Sequence, residues 1–267
     1  MKLRVIRLLA VLTVAALVFA ACGDDDHNDA SSSTTEAPAE EPAMEGDITV
    51  FAAASLTDAF TELGTTFESE NPDVSVEFNF GASSALREQI LAGAPADVFA
   101  SANTSNMGQV VDGGAATGPE NFVTNQLQIA VPAGNGAEVA GLDDFANRDL
   151  LIGLCAEDVP CGEFGREALA SAGVTPSVDT NEPDVRSLLT KVEAGDLDAG
   201  IVYVTDVLAA GDAVEGIDIP ADENVIATYP IAALSDAANA VVADAFVAFV
   251  LSGEGQGILD SYGFNAP

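Results

Sequence analysis

The sequence predicts an α/β protein whose strands lie mostly parallel and are covered by helices. Three observations predict it. Short apolar runs alternate along the chain with segments whose apolar residues recur at helical spacing. Hydrophobic residues make up 48% of 267, enough for a large core. Turn-forming residues fall between the two kinds of segment, as strand–helix–strand units require.

The elements follow in order. Ile48-Thr49-Val50-Phe51-Ala52 carries β-branched and aromatic side chains and reads as a strand. Leu56, Ala59, Phe60, Leu63 and Phe67 recur at helical intervals. Val74, Val76, Phe78 and Phe80 alternate, which marks a second strand. Leu86, Ile90 and Leu91 form a helical stripe, and residues 97–100 are a short strand. Residues 127–131, 150–154 and 200–204 are further buried strands. Helices begin near Gly162 and Val185, and a last helix over 237–251 ends at Gly253. No internal repeat is found, and no low-complexity segment after Gly46.

The N-terminal segment reads as an address. Lys2, Arg4 and Arg7 precede an apolar run over 8–21, the layout of a secretory signal peptide over 1–21. Ala20 and Ala21 before Cys22 resemble a bacterial lipobox. That implies a lipid on Cys22 and a protein exported and held on the outer face of the cell membrane, without spanning it. An ordinary signal peptide with a chance cysteine is the competing reading. Residues 22–46, with Asp24-Asp25-Asp26, a Ser/Thr run and two prolines, form an acidic linker too poor in apolar bulk to order itself.

Charge narrows the function. The formal net charge is −35; without the leader, five cations face 43 acids, which makes it three units more negative. Nucleic-acid binding needs clustered Lys and Arg and is excluded. The single histidine, His27, lies in the linker, which removes most His-based catalysis and His-ligated metal sites. No apolar run of about 18 residues follows Cys22, so no transmembrane helix is expected in the body.

Four turns join a strand end to a helix start through small or polar residues: 52–58, 80–86, 159–164 and 182–186. In the first, Ser55 reads as an N-cap, with Asp58 completing a capping box. Helix N-termini expose unpaired N–H groups and a positive dipole end. Several of them around one cleft bind an anion with no cation present. In open α/β sheets that cleft lies at the carboxyl ends of the strands.

Phe51-Ala52-Ala53-Ala54-Ser55-Leu56, Gly93-Ala94-Pro95-Ala96-Asp97-Val98-Phe99, Val159-Pro160-Cys161-Gly162, Asp184-Val185-Arg186, Gly200-Ile201-Val202-Tyr203 and Tyr229-Pro230-Ile231 occur in this order. Together they resemble the molybdate-binding proteins of bacterial molybdate ABC importers, from about Asp47 to Tyr262-Gly263-Phe264. The resemblance implies a two-lobed type II periplasmic-binding-protein fold, each lobe a mostly parallel sheet flanked by helices, joined by a two-strand hinge. It implies lobes over 47–125 plus 230–267 and over 126–229. It implies a monomer that captures molybdate or tungstate and delivers it to an importer permease, with no catalytic residue, no cofactor and no direct metal ligand. The donors it implies are Ser55 and Ser83 through hydroxyl and N–H, the N–H groups of Cys161 and Val185, and the Tyr203 hydroxyl. Ser83 is the second serine the resemblance favours, with its neighbour Ser84 as the alternative.

Neutral donors suit the task. An all-donor shell rejects a protonated phosphate, whose own proton finds no acceptor. Two other readings stand beside this one: a receptor for another tetrahedral oxyanion such as sulfate, and a hydrolase using Cys161 as nucleophile. In an exported protein Cys155 and Cys161 are expected to form a disulfide, which disfavours the hydrolase. Arg186, next to a proposed donor, is expected in a helix-surface ion pair.

Overall fold

The computed structural model describes residues 44–267. The expected signal peptide over 1–21, Cys22 and most of the expected linker over 22–46 lie outside the described residues; its last residue, Gly46, already belongs to the first strand.

β1 (Gly46–Ala53) leads through a single 3-10 turn (Ala54–Leu56) into α1 (Thr57–Glu70). β2 (Val74–Gly81), α2 (Ser83–Leu91), β3 (Val98–Ala100) and α3 (Thr104–Asp112) follow. β4 (Glu120–Pro132) begins the middle of the chain. After it come β5 (Ile152–Cys155), α4 (Pro160–Ser171), β6 (Thr180–Glu182), α5 (Val185–Glu193), β7 (Ala199–Tyr203), α6 (Val204–Ala210) and β8 (Val214–Asp218). β9 (Ile226–Ala233), α7 (Ala240–Leu251) and α8 (Gly253–Ser261) complete it.

The strand order is β2-β1-β3-β9-β4-β7-β5-β6, with β8 also on β4. β1 runs parallel to β2 and β3, and β5 runs parallel to β6 and β7. β9 is antiparallel to β3 and β4, and β4 is antiparallel to β7 and β8. Two parallel units are therefore joined through antiparallel strands. The junction is β4, which pairs with β9 from Glu120 to Gln126 and with β7 and β8 from Leu127 onward. At the changeover the Asn224 side chain accepts from the Leu127 N–H (3.1 Å) and donates to its carbonyl (2.9 Å). The result is two lobes, with the chain crossing once inside β4 and once ahead of β9.

Apolar periodicity explains the packing. Phe60 and Phe67 of α1 meet Phe78, Phe122 and Phe246 edge to face, with ring centroids 5.4–6.3 Å apart. A smaller cluster (Phe51, Leu86, Ile90, Phe99, Met107, Val110) seals the other face of the first lobe. Leu91, expected in the α2 stripe, is 46% exposed; only Leu86 and Ile90 face the sheet. The last helix does not simply end at Gly253. Ser252 breaks it with an extended ψ, and its Oγ accepts the Gly255 N–H (3.1 Å), which starts α8. Among the described residues no single helix is long and apolar enough to cross a membrane.

Candidate functional site

Ser55, Ser83, Cys161, Val185 and Tyr203 all line one cavity, with Ala53, Ala54, Gly81, Ala82, Ala102, Val159, Pro160 and Asp184 as the remaining wall. It leaves about 20 Å³ for the centres of water-sized atoms. Lys and Arg are absent from the wall.

The first lobe supplies the serines. Ser55 sits in the 3-10 turn after β1 and is 4% exposed. It is not the N-cap its sequence suggested: its Oγ lies 2.9 Å from the Tyr229 hydroxyl, 174 residues away. Asp58 likewise makes no capping box, because α1 begins one residue before it, at Thr57, and its carboxylate turns to Arg186. Thr57 instead donates its hydroxyl to the Ala54 carbonyl (2.7 Å) and secures the turn. Ser83 is the first residue of α2, and its Oγ accepts the Ala102 N–H (2.9 Å). Ser84 is also buried but is not part of the wall.

The second lobe supplies the other three. Pro160 opens α4, where its missing N–H costs nothing, and places Cys161 in the first turn. A disulfide joins Cys161 to Cys155 at the end of β5. Arg166 donates to the carbonyls of Cys155 (2.8 Å) and Gly162 (3.0 Å), and a Cβ at Gly162 would run into the Ala156 carbonyl. The turn is thus pinned on three sides. Val185 is the first residue of α5; Asp184 caps it by accepting from the Ser187 N–H and hydroxyl, both at 2.9 Å. Asp184 is the one carboxylate in the wall, and Ser187 engages both its oxygens. Ser55, Ser83, Cys161 and Val185 all lie in first turns, where the N–H has no carbonyl one turn back.

Tyr203 ends β7 and is 1% exposed. Its hydroxyl has no hydrogen-bond partner among the described residues. Burial pushes its pKa well above the ordinary tyrosine value, so it stays a donor. Its N–H donates to Asp206 Oδ2 (3.0 Å). Asp206 is itself fully buried, and burial raises its pKa to about 6 against the pull of Arg186. Arg186 Nε lies 3.2 Å from Asp206 Oδ1, off the axis of a good hydrogen bond. Arg186 Nη2 reaches across the cleft to Asp58 (2.6 Å). It therefore forms an ion pair as expected, but between lobes rather than along one helix surface. A second cross-cleft bond runs from Asn103 Nδ2 to Glu163 Oε2 (2.9 Å).

This arrangement gathers hydrogen-bond donors around one cavity. Cys161 is tied up in its disulfide. Among the described residues no group of three or more His, Cys, Asp or Glu is placed to hold a metal ion. The sequence pattern did not reveal Asp206, Ala102 or Tyr229 as supports of the wall. Tyr229 belongs to the Tyr229-Pro230-Ile231 motif, but nothing local ties it to Ser55.

Residues 48–265 match the model of the bacterial extracellular solute-binding proteins. The chain is 38% identical over 261 residues to the molybdate-binding protein ModA of Mycobacterium tuberculosis, covering 97% of each. Among solved structures it is similar in fold to the periplasmic molybdate-binding protein of Azotobacter vinelandii (TM-score 0.73, 18% identity, 82% of this chain and 99% of that one). It is also similar to the sulfate-binding protein SubI of M. tuberculosis (TM-score 0.76, 17% identity, 83% and 87%). The two-lobed periplasmic-binding fold implied by the sequence is the observed one. This chain belongs to the bacterial extracellular solute-binding protein family and is a relative of the ModA proteins.

Proposed function

We propose that this protein captures molybdate, and tungstate equally, between its lobes and hands it to an ABC importer permease. Its family carries solutes rather than transforming them, so the chain is not an enzyme, and the anion is cargo rather than cofactor. The observation that carries the reading is the buried Tyr203 hydroxyl without a partner, in a wall that presents donors and no cation. A guest with oxygens on all sides supplies the missing acceptors. A volume of about 20 Å³ equals a sphere of about 1.7 Å radius, near the reach from central atom to oxygen in a tetrahedral oxyanion. About seven charge-assisted bonds at roughly 1.5–3 kcal/mol each leave nanomolar to micromolar affinity after association costs.

In this reading Ser55 and Ser83 donate from hydroxyl and N–H, Cys161 and Val185 from N–H, and Tyr203 from its hydroxyl. The lobes run over 47–125 plus 230–267 and over 126–229, and they close by bending β4 and the segment ahead of β9. The mature protein is a monomer held to the outer face of the membrane through a lipid on Cys22. Sulfate is the second reading, supported by the likeness to SubI. Titration calorimetry of the mature protein with molybdate, tungstate, sulfate and phosphate tests both. Tight heats with the first two support molybdate; a tighter response to sulfate overturns it.

A further inference from the structure

The two serines differ in what fixes their protons. Ser83 Oγ accepts from the Ala102 N–H at 2.9 Å. A backbone N–H can only donate, so the Ser83 proton is turned away from it. Ser55 Oγ lies 2.9 Å from the Tyr229 hydroxyl, and distance alone allows either to donate. The surroundings of Tyr229 decide. Its side chain is fully buried, and its ring is held edge-on by Phe122, Tyr203 and Phe264 at 5.7–6.4 Å. Among the described residues Ser55 Oγ is the one group in sound hydrogen-bond geometry with its hydroxyl; the Asn125 amide, which donates to Thr205, and the Tyr203 hydroxyl lie near it without making such a bond. A buried phenol with one well-placed partner wastes its proton unless it donates there. Ser55 must then accept from Tyr229 and aim its own proton elsewhere, and Ser55 lines the cavity.

We propose that Tyr229, which is not part of the cavity wall, is a specificity-determining positioning residue: by donating to Ser55 it commits the Ser55 proton to the guest and bars oxyanions that carry a proton. The inference rests on the proposed function, in which Ser55 is a ligand donor. Both serine oxygens are occupied on their far sides, so a protonated guest oxygen meets hydrogens only. Ala102 acts through its backbone, which leaves Tyr229 as the side chain that can be changed.

Sulfate and phosphate are matched in size, but near neutral pH only phosphate keeps a proton. Displacement of molybdate by each is measured in the wild type, in Tyr229→Phe and in Tyr203→Phe. Tyr229→Phe frees the Ser55 oxygen to accept, so its sulfate-over-phosphate preference falls by about tenfold or more, while molybdate affinity stays within a few-fold. Tyr203→Phe removes a donor and weakens all three anions without moving that ratio. A ratio unchanged in Tyr229→Phe, or both anions gaining equally as a loosened pocket would give, overturns the inference. Failure of the wild type to bind molybdate overturns the proposed function instead, which keeps the two failures apart.

Discussion

Replacing Tyr203 by Phe separates affinity from stability. The substitution deletes one oxygen at the end of β7 and keeps the ring, which is 1% exposed. In the proposed complex that oxygen donates to a dianion, a bond worth roughly 1.5–3 kcal/mol. Its loss weakens molybdate binding by about 10- to 150-fold, since each 1.4 kcal/mol or so is tenfold. Among the described residues the same hydroxyl has no protein partner, so its removal relieves a desolvation cost instead of breaking a bond within the protein. The Tyr203 N–H keeps its bond to Asp206, so the helix start below is untouched. The apo Tm therefore stays level or rises by about 2–4 °C per kcal/mol relieved. Calorimetric titration and scanning calorimetry read the two quantities on the same samples. An affinity within twofold of wild type, or an apo Tm lowered by several degrees, refutes the assignment of this hydroxyl to the guest.

Three further outcomes are expected. Asp58→Asn removes the charge that meets Arg186 across the cleft; because the Asp58 side chain is 45% exposed the pair contributes about 1 kcal/mol or less, so molybdate leaves up to about fivefold faster in a stopped-flow chase while the apo Tm is almost unchanged. The buried Asp206 carboxyl, ordinarily at 3.8 and raised to about 6, holds its proton after the unfolded chain has lost it, so its contribution to stability falls as pH rises between those values; the cost at neutral pH is about 3 kcal/mol, and the difference in Tm between wild type and Asp206→Asn, scanned over pH, shows that slope or refutes it. Replacing both Cys155 and Cys161 by Ala opens a short loop and costs about 2 kcal/mol by chain entropy, with weaker molybdate binding because the turn carrying the Cys161 N–H loosens; unchanged affinity in a destabilised variant refutes that positioning role.

The sequence by itself determined the elements whose cause is local. The β1, β2 and α1 patterns, the first turns at Ser83, Cys161 and Val185, and the disulfide pairing were all legible, because apolar spacing, helix-start residues and two nearby cysteines act over a few residues. Tertiary structure decided what depends on distant partners. The antiparallel junction of β4 with β9 shows in no local pattern, because it is made by segments about a hundred residues apart. Ser55 read as a cap because capping is the nearest use for a serine at a helix start, yet its hydroxyl is claimed by Tyr229 from the far end of the chain. Arg186 read as a surface ion pair because sequence shows only its own helix; the cleft sets it between Asp58 and the buried Asp206. Even the orphaned Tyr203 hydroxyl is a tertiary fact. Strand periodicity buries the ring, but only the assembled walls withhold a partner from its oxygen.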